Sequence, residues 1–168
     1  MPTPVFKPSN LILDVDGVLT DGTFLYSEKG KVYKVFGPHD HDGIKLIQAH
    51  IPIIFVTADS RGFSITKQRV EGDMKQKLLL LSEKERFSHL MDHYDLPNSI
   101  YIGDGIHDAK ILRKALFGIA PANSRLEAKM AADYVTPSRG GEGAVLDACL
   151  KILETFFVNE FTIIKSDL

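Results

Sequence analysis

The sequence predicts an α/β fold, a three-layer sandwich in which helices cover both faces of a parallel sheet. Three observations carry this. Short, continuously apolar runs recur along the chain, each ending in a polar turn. Stretches with helical spacing of apolar residues lie between them. One connection breaks the alternation with two β-prone segments around a glycine-containing turn. Strands buried on both faces read as unbroken apolar runs, and their alternation with helices marks a parallel sheet.

The first strand is Leu11-Ile12-Leu13, which runs into Asp14-Val15-Asp16-Gly17. Thr23-Phe24-Leu25-Tyr26 and Val32-Tyr33-Lys34-Val35-Phe36 then flank Ser27-Glu28-Lys29-Gly30-Lys31. They read as a β-hairpin flap over about 23–36, placed where a helix is expected. A helix over about 43–50 precedes the strand Ile51 to Val56, which leads into Thr57-Ala58-Asp59-Ser60. A helix over 61–71, the apolar run Leu78 to Leu81 and a helix over 82–94 follow. Ser99-Ile100-Tyr101-Ile102 leads into Gly103-Asp104-Gly105, and then a helix over 107–115. Phe117 to Ala120, a helix over 124–131, the short run Tyr134-Val135 and a helix over 142–157 complete the pattern. The tail, about 156–168, is unusually apolar for a chain end and is expected to dock on the domain or on a neighbour.

A length of 168 residues is one domain, 1–168. With 20 basic and 22 acidic residues the net charge is -2, which weighs against nucleic-acid and acidic-membrane partners. The single cysteine, Cys149, excludes an internal disulfide and reads as a buried thiol in an apolar helix. The opening MPTPVFKPSN has no apolar core of a secretion signal, and no apolar run reaches the ~18 residues of a membrane span. A reducing, cytoplasmic location is the expectation.

In an open α/β sheet, ligands bind beyond the carboxyl ends of the strands. The polar turns therefore bring Asp14, Asp16, Thr57, Asp104 and Asp108 to one edge. Singly, Asp108 or Thr57 reads as a cap or turn residue. Together the acids repel one another, by roughly 4 kcal/mol per pair at ~4 Å and an effective dielectric near 20. A cation relieves that cost. All-oxygen donors without a nearby cysteine favour Mg²⁺. His39-Asp40-His41-Asp42 has the residue types of a transition-metal site, but its spacing is loose and no further cluster completes it. His50, His89 and His93 read as surface helix residues, and His107 falls beside the acidic edge. Arg139-Gly140-Gly141-Glu142-Gly143 reads equally as a phosphate nest at a helix start and as a plain loop-to-helix junction.

Asp14-Val15-Asp16-Gly17-Val18-Leu19-Thr20-Asp21-Gly22 resembles the first motif of the haloacid dehalogenase-like phosphohydrolases. Thr57 is similar to their second motif and Gly103-Asp104-Gly105-Ile106-His107-Asp108 to their fourth. For the third, a lone lysine opening a helix, Lys84 matches best and Lys77 less well. Ala132-Asp133-Tyr134-Val135-Thr136 and Gly140-Gly141-Glu142-Gly143-Ala144-Val145 extend the resemblance, to about residues 9–155, and point to a capless branch. That branch contains 3-deoxy-manno-octulosonate 8-phosphate and sialic-acid 9-phosphate phosphatases. Three departures stand out. In the family the stretch matching His39-Asp40-His41-Asp42-Gly43-Ile44 reads His-Asp-Gly-x-Gly-Ile, so His41 takes the place of a glycine. Asp59 takes the place of an arginine usual in the octulosonate enzymes, with Arg61 two positions on, and Gly105 replaces a second aspartate of the fourth motif.

The resemblance implies a Rossmann-like sheet and a Mg²⁺-dependent phosphomonoesterase acting on a phosphorylated sugar acid through an aspartyl-phosphate. For the octulosonate enzymes it implies a place in lipopolysaccharide biosynthesis. Asp14 is then the nucleophile and Asp16 the general acid and base, with Thr57 and Lys84 binding the phosphoryl group. The metal falls to Asp14, Asp104 and the Asp16 carbonyl, with Asp108 in support. Ala58, Asp59, Arg61 and His41 join Thr57 and Lys84 as expected substrate contacts. Asp16 and Thr57 are separated only by the hairpin and one helix, and Thr57 to Lys84 is 27 residues, so no cap domain fits. In the capless branch a neighbouring subunit closes the site within a homotetramer. The other readings are the same chemistry on a nucleotide or another small phosphomonoester, and an idle relative that binds a phosphometabolite.

Overall fold

The computed structural model describes residues 7–167. Residues 1–6, most of the opening decapeptide, and Leu168 of the apolar tail lie outside them. The first strand, β1, is Leu11–Asp14; the hairpin strands are β2, Leu25–Ser27, and β3, Gly30–Tyr33. Helix α1, His39–Ile47, leads to β4, Ile53–Thr57. Helix α2, Phe63–Lys67, continues as a π-helical turn over Gln68–Asp73 and ends at β5, Lys77–Leu80. Then come α3, Glu83–His93; β6, Ile100–Ile102; α4, Ala109–Lys114; and β7, Phe117–Ala120. Helix α5, Leu126–Ala131, strand β8, Tyr134–Val135, and helices α6, Ala144–Phe156, and α7, Val158–Asp167, close the chain.

The main sheet has the order β5-β4-β1-β6-β7-β8, and every pairing in it is parallel. The hairpin pairs only with itself. Strand alternation divides the interior. Leu11 and Leu13 face α1 and α6 in a core with Ile44, Ile47, Phe55, Val145 and Ile152. Ile12 faces the opposite side with Val56, Leu90, Tyr101 and Ile111. The third layer follows directly, because a central strand that is apolar on both faces needs cover on both. The chain builds β4 and β5 on one side of β1, then β6, β7 and β8 on the other. The switch of direction falls between β1 and β6, so Asp14 and the turn after Ile102 flank the crevice where ligands bind. No further domain is inserted between these elements, as the short connections predict.

Helix α1 begins at His39, four residues earlier than its apolar pattern suggested, and Gly43 explains its placement. A Cβ there would meet the Leu146 Cα at 2.7 Å, so the glycine lets α1 and α6 touch. The same contact settles the glycine-rich loop as a junction. The N-terminus of α6 is already occupied, because the Val145 N–H donates to Asp40 Oδ1 at 2.9 Å. A carboxylate caps that helix, and no phosphate nest remains there.

Asp40 is almost fully buried. Burial raises its pKa to about 6 against the opposing Val145 and Gly143 N–H groups. A carboxyl whose folded pKa lies above its unfolded value stabilises most at low pH, and that contribution falls as pH rises from about 4 to about 6. Asp40→Asn keeps the acceptor and removes the charge. Denaturant melts across that window should lose a pH-dependent part of about 2 kcal/mol in the variant relative to the parent. Identical slopes would refute the assignment.

The tail docks in part. Phe161 and Ile164 of α7 pack on the first core, while Val158 and Ile163 stay exposed. Cys149 is fully buried on α6, and burial drives its thiol pKa up. Among the described residues, no helix is long and apolar enough to cross a membrane.

Candidate active site

The carboxyl edge of the sheet holds a polar cleft of about 370 Å³. Its floor is Asp14, Asp16, Arg86, Asp104 and Asp108, and its rim includes Phe24, Lys31, Asp59, Arg61, Glu83 and His107. Asp14 ends β1, so a buried strand fixes its position. Gly17, three residues on, has φ +89, and a Cβ on it would lie 2.0 Å from Asp104 Oδ2. The glycine of the first motif thus makes room for the acid of the fourth. Asn123, which sequence reasoning missed, ties this turn to the far loop. Its Nδ2 donates to the Gly17 carbonyl at 3.0 Å, and its Oδ1 accepts from the Gly140 N–H at 2.6 Å.

Carboxylate oxygens of Asp14, Asp104 and Asp108 lie within 4.8 Å of one another. Burial raises Asp104 to about 7, with Asp108 and Asp16 adding to the effect. Burial likewise pushes Asp14 well up, despite Arg86 beside it. Asp108 has little left to offer a metal: one oxygen takes Tyr101 and Arg86, and the other takes the Gly105 N–H at 2.8 Å. Asp14 and Asp104 retain open donor capacity. Hard oxygen donors and their mutual repulsion both fit a small divalent cation.

The cation facing Asp14 is Arg86, and not Lys84 as the motif order predicts. Arg86 Nη1 lies 3.1 Å from Asp14 Oδ1 and 3.1 Å from Asp108 Oδ1, and 3.3 Å from the Tyr101 hydroxyl. Lys84 is exposed and does not line the cleft. Helix geometry is the reason. The Ser82 hydroxyl caps α3, accepting from the Glu85 N–H and donating to its carboxylate at 2.6 Å. With the start fixed there, Arg86 and Leu90 share the buried face four residues apart. Lys84, two residues before Arg86, points to the opposite side. Lys77, the weaker candidate, sits over the Tyr94 ring at the start of β5, at the wrong end of the sheet. Burial works against the Arg86 charge, but Asp14, Tyr101 and Asp108 outweigh it and keep the guanidinium protonated. The Ser82-Glu85 capping pair was the signal that could have found it.

Thr57 ends β4, fully buried, with its hydroxyl 3.5 Å from Asp16 Oδ2. Thr57 itself lies behind the cleft wall, which Ala58, Ser60 and Arg61 reach, so the structure does not place it against the expected phosphoryl group. Asp59 also lines the cleft, but its carboxylate is spent. Burial opposes its charge, yet Lys31, Lys34 and the Gly62 N–H hold it at about 2. It therefore anchors the hairpin, contrary to the expected substrate contact. His41 is also misplaced by the sequence reading. It lies in the first turn of α1, half-buried and away from the cleft, with no positive φ. Position 41 therefore does not need a glycine's conformational freedom in this chain. Burial lowers its pKa, with Lys45 and Arg69 contributing. His107 reaches the rim, 3.2 Å from Glu83.

A buried carboxylate at a strand end, a second acid two residues on and a paired cation thus lie together at the switch point of a parallel sheet. The family model of haloacid dehalogenase-like hydrolases matches residues 84–148. The chain belongs to that family, and it is a phosphatase. Within the family it is similar to 3-deoxy-D-manno-octulosonate 8-phosphate phosphatases. It is 31% identical to the Haemophilus influenzae enzyme over 150 residues, 86% of this chain and 82% of that one. With the Salmonella typhi enzyme the identity is 30% over 148 residues, 83% of this chain and 76% of that one. The crystal structure of the Moraxella catarrhalis enzyme, in complex with magnesium, phosphate and the sugar acid, superposes with a TM-score of 0.81. The identity there is 27%, over 97% of this chain and 94% of that one. The cobalt-bound enzyme of Haemophilus influenzae superposes with a TM-score of 0.76 at 28% identity, covering 92% of each chain.

Proposed function

We propose that this phosphatase hydrolyses the phosphomonoester of a sugar acid, 3-deoxy-manno-octulosonate 8-phosphate or a nonulosonate 9-phosphate, through an aspartyl-phosphate. The observation that carries the reading is Asp14, fixed at the end of β1 on the cleft floor, 3.1 Å from a buried arginine. An Asp14 oxygen attacks phosphorus as the bond to the sugar oxygen breaks. Asp16 gives its proton to that oxygen, then takes one from the water that cleaves the acyl phosphate. Arg86 offsets the repulsion between carboxylate and phosphate and keeps Asp14 oriented. Thr57, buried behind the wall, supports Asp16 with its hydroxyl, and Asp108 holds Arg86. Asp14, Asp104 and the Asp16 carbonyl are the ligands for Mg²⁺, which supplies charge neutralisation at the phosphoryl oxygens when bound.

Arg61 is the candidate receptor for the substrate carboxylate. Arg86, Lys31 and Lys34 are already paired with acids, whereas Arg61 lines the cleft exposed, with no ion pair among the described residues. A guanidinium suits a carboxylate. The flap bears exposed Leu25, Tyr26, Tyr33 and Val35, an apolar surface suited to the neighbouring subunit of a homotetramer. A cytoplasmic setting suits the lone thiol, and the octulosonate substrate would place the enzyme in lipopolysaccharide biosynthesis.

The test is phosphate release with Mg²⁺ from octulosonate 8-phosphate, nonulosonate 9-phosphates, nucleoside monophosphates and neutral sugar phosphates. The sugar acids should lead in kcat/KM. Arg61→Ala should raise KM for them by about 10- to 100-fold and leave neutral sugar phosphates nearly unchanged, as expected for one lost charged contact. Preference for nucleotides, or equal losses on both sugar classes, would count against the reading.

A further inference from the structure

Among the described residues, two lysines with buried side chains, Lys34 and Lys31, remain outside that mechanism. Lys34 follows β3 directly, and its side chain is 0% exposed. Its ammonium lies 2.7 Å from Asp16 Oδ1, 2.9 Å from Asp59 Oδ2 and 2.9 Å from the Thr66 hydroxyl. It donates a hydrogen bond to Thr66 and is ion-paired with both carboxylates, and its charge is the nearest partner of the otherwise unbonded Asp16 Oδ1. The contacts join three parts of the chain: the hairpin, the turn after β1 and helix α2. Lys31 adds a second tie from the hairpin to Asp59, its ammonium 3.4 Å above the Phe24 ring. The flap is otherwise largely exposed, so these two lysines bolt it to the floor.

We propose that Lys34 is a positioning residue that selects which oxygen of Asp16 does proton transfer. An ammonium donates and cannot accept, so the oxygen it holds, Oδ1, stays bare. The transferable proton is thereby confined to Oδ2, on the Thr57 side of the carboxyl. Lys34 also freezes the side-chain rotation that would swap the two oxygens, which orients the acid before the substrate arrives. The inference rests on the phosphomonoesterase reading. In the step concerned, the Asp14–phosphorus bond forms, the phosphorus–oxygen bond of the ester breaks, and the Oδ2 proton moves to the departing oxygen.

Leaving-group dependence tests this, because kcat/KM reports only the steps through formation of the aspartyl-phosphate. A sugar alkoxide must be protonated as it leaves, and a p-nitrophenolate need not be. Lys34→Met should lower kcat/KM for octulosonate 8-phosphate by about 100-fold, the scale of general acid catalysis, and for p-nitrophenyl phosphate by less than about 10-fold. Lys34→Arg should restore most of the loss on the sugar ester. Thr66→Val, which removes one of the three acceptors, should show a smaller loss with the same skew. Equal losses on the two esters in these variants, or no loss in Lys34→Met, would overturn the proposal. If the parent enzyme hydrolyses p-nitrophenyl phosphate and glucose 6-phosphate but not the sugar acids, the substrate assignment fails and glucose 6-phosphate carries the comparison. If it hydrolyses none of them, the phosphomonoesterase reading itself falls, and the inference with it.

Discussion

Asp14→Asn abolishes turnover, with kcat falling by on the order of 10⁴-fold or more, while the folded state persists. The amide is nearly isosteric and keeps an acceptor for Arg86, so the geometry of the β1 end survives. What it lacks is a lone pair basic enough to displace an alkoxide from phosphorus. Stability should even rise slightly, since the native Asp14 carboxylate is buried beside other acids, and that burial drives its pKa up. Circular dichroism and phosphate release on the same sample check both halves. A rapid-quench experiment with labelled ester should find labelled protein for the parent and none for the variant. Turnover within tenfold of the parent would sink the covalent route.

Arg86→Met costs on the order of 10³-fold in kcat/KM, whereas Lys84→Met stays within about twofold. The contrast follows from the two faces of α3. Arg86 lies within 3.1 Å of both Asp14 and Asp108, and Lys84 is exposed on the other side of the helix. Removing a buried cation that faces acids also destabilises, by about 3 kcal/mol, because the carboxylates left behind are uncompensated. Thermal melts with and without Mg²⁺ separate that loss from the catalytic one: the cation should recover stability without recovering rate. A collapse of activity in Lys84→Met with Arg86 intact would restore the motif-order reading.

These two variants mark the limit of what was legible in the sequence. The strands and their end-turn acids were legible, because Leu11–Asp14 and Ile53–Thr57 are buried on both faces and write that into their composition. The hairpin was legible from its turn chemistry. Arg86 was not, because a motif matched by position ignores rotation about the helix, and the Ser82 cap sets that rotation. His41 failed for a similar reason: the true start of α1 at His39 turns it from the cleft. Asp59 and Lys34 are 25 residues apart, and Asp40 and Val145 are 105 apart. No local periodicity announces contacts of that range. They exist because the sheet and the flap carry remote segments to one edge.

The separation of the hairpin from the main sheet bears on how such a protein diversifies. Asp14 and Thr57 end buried strands and Arg86 lies on the buried face of α3, where almost any exchange is penalised, so the site is held by the same forces that hold the fold. The rim side chains of the flap and of Arg61 lie largely in solvent, where substitutions cost the folded state little. A lineage can therefore try new ester partners at the rim while the hydrolytic step is inherited intact. Lys34 is the exception. It belongs to the exposed element and grips the buried one, so drift in the flap is free only up to that residue.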